Sequence, residues 1–95
     1  MPYYVYILAN SSNKILYLGR TENLPQRIYQ HKNKLAKGFS EKYNVDKLVY
    51  YEVLDNKDFA AEREWKLKKW KRQWKDDLIN SINPNWEDLY PKLEL

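Results

Sequence analysis

Two short runs of aromatic and β-branched residues, separated by a handful of turn formers, constrain this chain more than any other feature. Tyr3-Tyr4-Val5-Tyr6-Ile7-Leu8-Ala9 is too short for a stable helix and has the composition of a strand. Asn10-Ser11-Ser12-Asn13-Lys14 consists largely of residues that favour turns. Ile15 to Thr21 is a second strand, so the pair reads as an antiparallel hairpin. Period-two alternation puts Tyr4, Tyr6 and Leu8 on one face and groups Ile15, Tyr17 and Gly19 on the partner strand.

Helical signals follow. Asn23 can cap a helix whose first turn tolerates Pro25. Leu24, Ile28, His31 and Leu35 then form one apolar-leaning stripe, with Arg27 at its edge, and the helix is expected to end before Gly38. Lys47 to Leu54 reads as a third strand. Asp58 is the expected N-cap of a second helix running to about Arg72. At about 100° per residue, Phe59, Ala60, Leu67, Trp70 and Trp74 share a face, Glu64 lies at its border, and Trp65 projects from nearly the opposite side. A third helix is expected from Trp74 to Ile82, separate or kinked, and stopped by Asn83-Pro84. Trp86 and Leu89 in the tail are expected to pack back on the body. The predicted order is β-β-α-β-α-α. This is an α+β fold, a small antiparallel three-stranded sheet flanked by helices, in one domain over residues 1–95.

Composition excludes several classes of function. The chain contains no cysteine, which removes disulfide frameworks, thiolate nucleophiles and cysteine-based zinc sites. His31 is the single histidine, so a multi-histidine metal centre is excluded as well. Any metal here leans on carboxylate and water oxygens, which suits a hard ion such as Mg²⁺. No run approaches the ~20 apolar residues of a membrane span, and no secretory signal is visible, so the expectation is a cytoplasmic protein. The net charge is +4, and it is concentrated. Residues 63–75 hold seven bases (Arg63, Lys66, Lys68, Lys69, Lys71, Arg72 and Lys75) against one acid, Glu64, interleaved with Trp65, Trp70 and Trp74. Such a patch suits a polyphosphate partner, and it equally suits a solvated helix face.

The ordered set Tyr4-Val5-Tyr6, Tyr17-Leu18-Gly19, Arg20, Thr21, Arg27, His31 and Glu64 resembles the GIY-YIG nuclease domain over the whole chain. It is closest to short stand-alone bacterial members related to the N-terminal nuclease domain of the UvrC repair protein. Tyr4 stands where the family name has glycine, and Val5 and Leu18 stand for isoleucine. Larger members carry an asparagine about twelve residues after the glutamate. That position here is Asp76, which leaves the role to Asn80, Asn83 or no residue.

The resemblance implies roles that physical chemistry can test. Tyr17 matches the proposed general base and Tyr6 the second tyrosine. A phenol titrates near ~10, so either needs nearby cations to act as a base, and the sequence leaves both open. Arg20 supplies such a field without shuttling a proton. Gly19 permits close approach of backbone or phosphate. Arg27 matches the family arginine, whose guanidinium forks onto phosphate oxygens. His31 is a candidate for phosphate contact or leaving-group protonation, and on an apolar stripe it also reads as a core histidine. Glu64 is the implied ligand of Mg²⁺ or Mn²⁺. Glu62 lies about 200° round the helix, so only one of the two can face the site. Lys66, Lys69, Lys71, Arg72 and Lys75 are candidates to track a nucleic-acid backbone, and Trp65 to stack an exposed base or fill a dimer contact.

The resulting expectation is a metal-dependent endonuclease acting on DNA, either structure-selective and tied to repair or recombination, or directed by a protein partner. Two alternatives stand beside it: a catalytically weak or inactive nucleic-acid-binding module, and a protein-interaction domain. Oligomeric state stays open.

Overall fold

A computed structural model of the chain describes residues 2–93. Strands β1 (Tyr3–Ala9), β2 (Leu16–Thr21) and β3 (Lys47–Leu54) form one sheet in the order β2-β1-β3, with both pairings antiparallel. Helices α1 (Leu24–Lys32), α2 (Phe39–Lys42), α3 (Lys57–Lys69) and α4 (Arg72–Ile82) complete the body, and a 3₁₀ turn over Tyr90–Lys92 follows. The α+β class and the three-stranded antiparallel sheet agree with expectation; the four-residue α2 is an addition to the expected order.

The central strand explains the layering. With β2 and β3 on either side, β1 is covered on both faces, and every residue from Val5 to Ala9 is buried. Val5, Ile7 and Ala9 face Ala60 and Leu67 of α3 and Ile79 of α4. Tyr6 and Leu8 face Leu24 and Ile28 of α1, together with Val45 and Leu48. Each fully buried aliphatic side chain here contributes about 1.5–3 kcal/mol of transfer free energy, so the two small cores stabilise the sheet jointly. A register shift between Ile7 and Leu8 bulges the β1·β3 ladder.

Several boundaries differ from expectation, each for a local reason. Helix α1 ends before Gly38 as expected, but already at Lys32, short of Leu35, which the expected stripe included. Lys34 adopts a left-handed backbone (φ 57°), Lys34 N–H donates to His31 O, and Leu35 N–H donates to Gln30 O at 2.8 Å. This is a Schellman closure built on lysine where glycine is usual. It turns Leu35 out to solvent instead of onto the apolar stripe. Gly38, at φ 115°, then lets the chain turn into α2.

Asn56 caps α3, its side chain accepting from Phe59 N–H, so Asp58 falls inside the first turn. Trp70 and Lys71 are extended and break the predicted long helix, so α4 starts at Arg72. That break re-aims Trp74, which is exposed, as is Phe59. Neither joins the buried face that Ala60 and Leu67 share.

The tail docks as expected, with Trp86 against one core and Leu89 against the other. Buried Asn83 donates to the carbonyls of Val49 and Glu87 and accepts from Glu87 N–H. Leu89 N–H donates to Leu48 O, and Asp88 accepts from Leu48 N–H, so the tail covers the open edge of β3.

Candidate active site

The site grows from the free edge strand, β2. In register, Tyr6 lies opposite Gly19 and Leu8 opposite Tyr17. The Tyr6 ring leans across Gly19. A methyl group at Gly19 would lie 2.6 Å from the Tyr6 hydroxyl and 3.1 Å from the Tyr17 ring. Only glycine leaves room for this ring. The two phenol rings are 6.3 Å apart, and His31 on α1 approaches both, at 5.8 Å from Tyr6 and 5.3 Å from Tyr17.

His31 sits at the centre of a buried chain of polar groups. Its Nε2 is hydrogen-bonded to the Tyr6 hydroxyl at 3.0 Å and its Nδ1 to Ser40 Oγ at 2.8 Å. Burial, reinforced by the charge of Arg27, pushes the imidazole down to about 4, so it is neutral at pH 7. Burial pushes the Tyr6 phenol up to about 12, against the opposing pull of the Arg27 guanidinium. The Arg27 guanidinium is pushed up in its turn, chiefly by Tyr6 and to a smaller extent by Tyr17. Its Nη1 donates to Gln30 Oε1 at 3.1 Å, one turn along α1.

Ser40 and Phe39, both on α2, carried no sequence signal. Phe39 stacks on Tyr17 with centroids 6.4 Å apart and planes 25° off parallel. Gln30 was discernible in retrospect, three residues after Arg27 on the same helical face.

Glu64 reaches the site from the other side of the sheet. On α3, between Ala60 and Leu67, it is buried. Arg20 lies opposite Val5, so alternation sends its side chain to the α3 side while Tyr17 and Gly19 face α1. There Arg20 Nη1 donates to Glu64 Oε1 at 2.5 Å, and Lys68 Nζ pairs with Oε2 at 3.1 Å. Glu62 is exposed and pairs with Lys66, so Glu64 is the glutamate turned inward. Its negative charge is felt at the Tyr6 phenol, as a minor influence that raises it further.

Two hollows meet at Arg20. One, of about 590 Å³, is lined by Arg20, Arg27, Asn23, Gln26, Gln30 and Lys57 among others. The second, of about 320 Å³, is lined by Arg20, Ala61, Glu64, Trp65 and Lys68. Tyr17 lines neither. The candidate residues therefore gather around edge strand β2, divided between its two faces, with Arg20 common to both hollows.

The basic helices are less uniform than their sequence. Arg72 donates to the carbonyls of Asn13 and Lys14 and to Asp76, which ties the hairpin loop to α4. Lys69 lies 3.6 Å over the exposed Trp65 ring, and Lys71 lies 5.7 Å over Trp74. Lys66 is paired with Glu62, and Lys75 is half-buried. The candidates for the family asparagine are engaged in scaffolding. Asp76 holds Arg72, Asn80 accepts from Trp86 Nε1–H, and Asn83 holds the tail.

Among the described residues, no group of three or more His, Asp or Glu side chains gathers to hold an ion. A carboxylate has about four lone-pair sites, so Glu64 keeps acceptor capacity beyond its two cations. One such carboxylate beside a water-accessible hollow fits a largely hydrated Mg²⁺ or Mn²⁺.

A three-stranded antiparallel sheet whose first two strands bring Tyr6, Tyr17 and Gly19 together, with Arg27 and Glu64 arriving from helices on either side, defines a GIY-YIG domain. Residues 2–77 match the GIY-YIG catalytic domain, and the chain belongs to that family of nuclease domains. It is similar to the UPF0213 protein CPE1444 of Clostridium perfringens, 37% identical over 92 residues, which cover 97% of this chain and 98% of that one. A UPF0213 protein of Syntrophus aciditrophicus is 37% identical over 82 residues, covering 85% and 92%. The solution structure of the UPF0213 protein BH0048 from Bacillus halodurans superposes with a TM-score of 0.58 at 25% identity, covering 93% of each chain. Among the described residues, no helix is long and apolar enough to cross a membrane.

Proposed function

We propose that this chain is a divalent-metal-dependent endonuclease that hydrolyses DNA phosphodiester bonds at edge strand β2. The observation that carries the reading is the packing of the Tyr6 and Tyr17 rings around Gly19, with Arg27 lining the hollow it shares with Arg20 and Glu64 bonded to Arg20. It adds to membership of a nuclease family.

Tyr17 is the general base in this reading. It is only half-buried, whereas Tyr6 is buried, raised to about 12 and bonded to His31. Tyr6 is a positioning residue that aligns Tyr17 and Arg27. His31, neutral and bonded through both ring nitrogens, holds Tyr6 in place rather than donating a proton to the leaving oxygen. Arg27 binds the scissile phosphate and stabilises the charge that builds on it. When bound, a Mg²⁺ or Mn²⁺ ion on Glu64 offsets charge at the leaving oxygen. Trp65, exposed and lining the Glu64 hollow, stacks a base next to the cleaved bond, with Lys68, Lys69 and Lys71 along the backbone. Structure-selective cleavage in repair or recombination agrees with an exposed Trp65 platform that stacks an unstacked base whatever its identity. A separate protein that supplies the address agrees equally.

A nicking assay on supercoiled plasmid and branched DNA tests the reading. Cleavage with Mg²⁺ or Mn²⁺ that Glu64→Ala abolishes, with folding intact by circular dichroism, supports it. Salt-dependent binding without product in any divalent metal makes the chain a binding module instead.

A further inference from the structure

Both oxygens of the Glu64 carboxylate are engaged by cations, and the two cations differ in kind. Lys68 sits one turn along the same helix with its side chain 57% exposed, in a contact of the weak i,i+4 type. Arg20 comes from a strand, makes the shorter bond, and reaches a carboxylate whose side chain is only 9% exposed. A buried carboxylate tolerates ionisation only with such a partner. Arg20 also lines the larger hollow with Arg27 and Gln30, so its guanidinium has a second polar environment within reach.

Resting on the nuclease reading, we propose that Arg20 is a positioning residue that serves as the internal counter-ion of Glu64. A divalent cation takes Glu64 by displacing Arg20 into the hollow beside Arg27. That hollow is lined by Arg27, Lys57 and one acid, Glu22, so bringing the Arg20 guanidinium in adds to an excess of positive charge that an anionic phosphate diester offsets. The ion and the nucleic-acid phosphate therefore bind cooperatively, because each favours the same position of Arg20. Without nucleic acid, the carboxylate is held by the protein's own cation, and metal binding is weak. Arg20 thus makes metal loading depend on substrate, in a domain where no group of three or more His, Asp or Glu side chains gathers among the described residues.

Metal binding without nucleic acid tests this directly. Free Mn²⁺ is titrated into protein and followed by electron paramagnetic resonance, for wild type, Arg20→Ala, Arg20→Lys, Lys57→Ala and Glu64→Gln. Removing a unit charge at bonding distance from the ligand, partly screened by solvent, tightens Mn²⁺ binding about tenfold in Arg20→Ala. Arg20→Lys and Lys57→Ala, which keep a cation on Glu64 or remove one that does not touch it, stay within about twofold of wild type. Glu64→Gln removes the site. Equal tightening in Lys57→Ala reduces the effect to net charge and overturns the proposal. Binding lost in Glu64→Gln but no tighter in Arg20→Ala overturns the counter-ion role and leaves Glu64 as the metal ligand. Binding indifferent to Glu64→Gln overturns the metal assignment on which both rest. A second readout is the Arg20 Nε–H resonance, which shifts on saturation with Mg²⁺ while that of Arg63, held on Glu52, does not. An unmoved Arg20 signal contradicts displacement.

Discussion

The Tyr6 ring lies across Gly19, its cross-strand partner, so closely that even a methyl group there would sit 2.6 Å from the hydroxyl. The ring cannot simply swing aside, because it is buried and its hydroxyl is bonded to His31. Gly19→Ala is expected to destabilise the fold by about 1–3 kcal/mol, as overpacking does. Urea unfolding measures this. In the same variant, activity falls further than the folded fraction explains, because Tyr6 and Tyr17 are displaced together.

His31 predicts an acid sensitivity with a definite sign. Its folded pKa, about 4, lies below the unfolded value of 6.5, so the unfolded chain binds more protons between those values. Stability is full above about pH 6.5 and declines as pH falls toward 4, by roughly 3 kcal/mol at most. Carboxylates also contribute to acid unfolding, so the comparison is with His31→Gln. The urea midpoint of wild type should fall more steeply between pH 7 and pH 4 than that of the variant. Parallel curves would show that the imidazole is not held neutral.

The two tyrosines separate by what their loss changes. Tyr17→Phe removes a hydroxyl from a half-buried ring and should leave stability within about 0.5 kcal/mol while lowering kcat by about 10²-fold or more. Tyr6→Phe leaves His31 Nε2 without its partner and should lower stability by about 1–3 kcal/mol. Its kcat falls less than that of Tyr17→Phe. The reverse ranking of kcat would make Tyr6 the base.

Within the basic segment, charge alone misleads. Arg72→Ala unties the hairpin loop from α4, so it should lower the melting temperature and leave the salt dependence of DNA binding unchanged. Lys69→Ala should leave the melting temperature in place and reduce the salt slope by about one unit. Thermal melts and affinity measured across a salt series check both.

These contrasts mark what the amino-acid order conveys and what it leaves out. The hairpin and its facing were legible because period-two alternation depends on nothing beyond neighbouring residues: Tyr6, Tyr17 and Gly19 lie together as the pattern implies. Helical spacing showed that only one of Glu62 and Glu64 could turn inward, and the family's Arg-Glu pair, matched by Arg63-Glu64, pointed to Glu64, which is the buried one. Leu35 and Trp74 did not follow, because a left-handed Lys34 and an extended Trp70-Lys71 interrupt periodicities that the composition continues. Ser40 was illegible because its partner, His31, is nine residues away across a turn set by Gly38. The tie between Arg72 and Lys14 of the hairpin loop joins residues 58 apart, which no local pattern encodes.

The central claim is that Glu64, Arg27 and Tyr17 cooperate in phosphodiester hydrolysis at edge strand β2. The most direct measurement is cleavage profiling with Mg²⁺ on matched duplex, nicked, flapped and single-stranded DNA, for wild type and Glu64→Ala side by side. The account predicts products from at least one of these substrates with wild type and none above background with Glu64→Ala. Equal cleavage by the two proteins would contradict it, and so would the absence of product from wild type on every substrate.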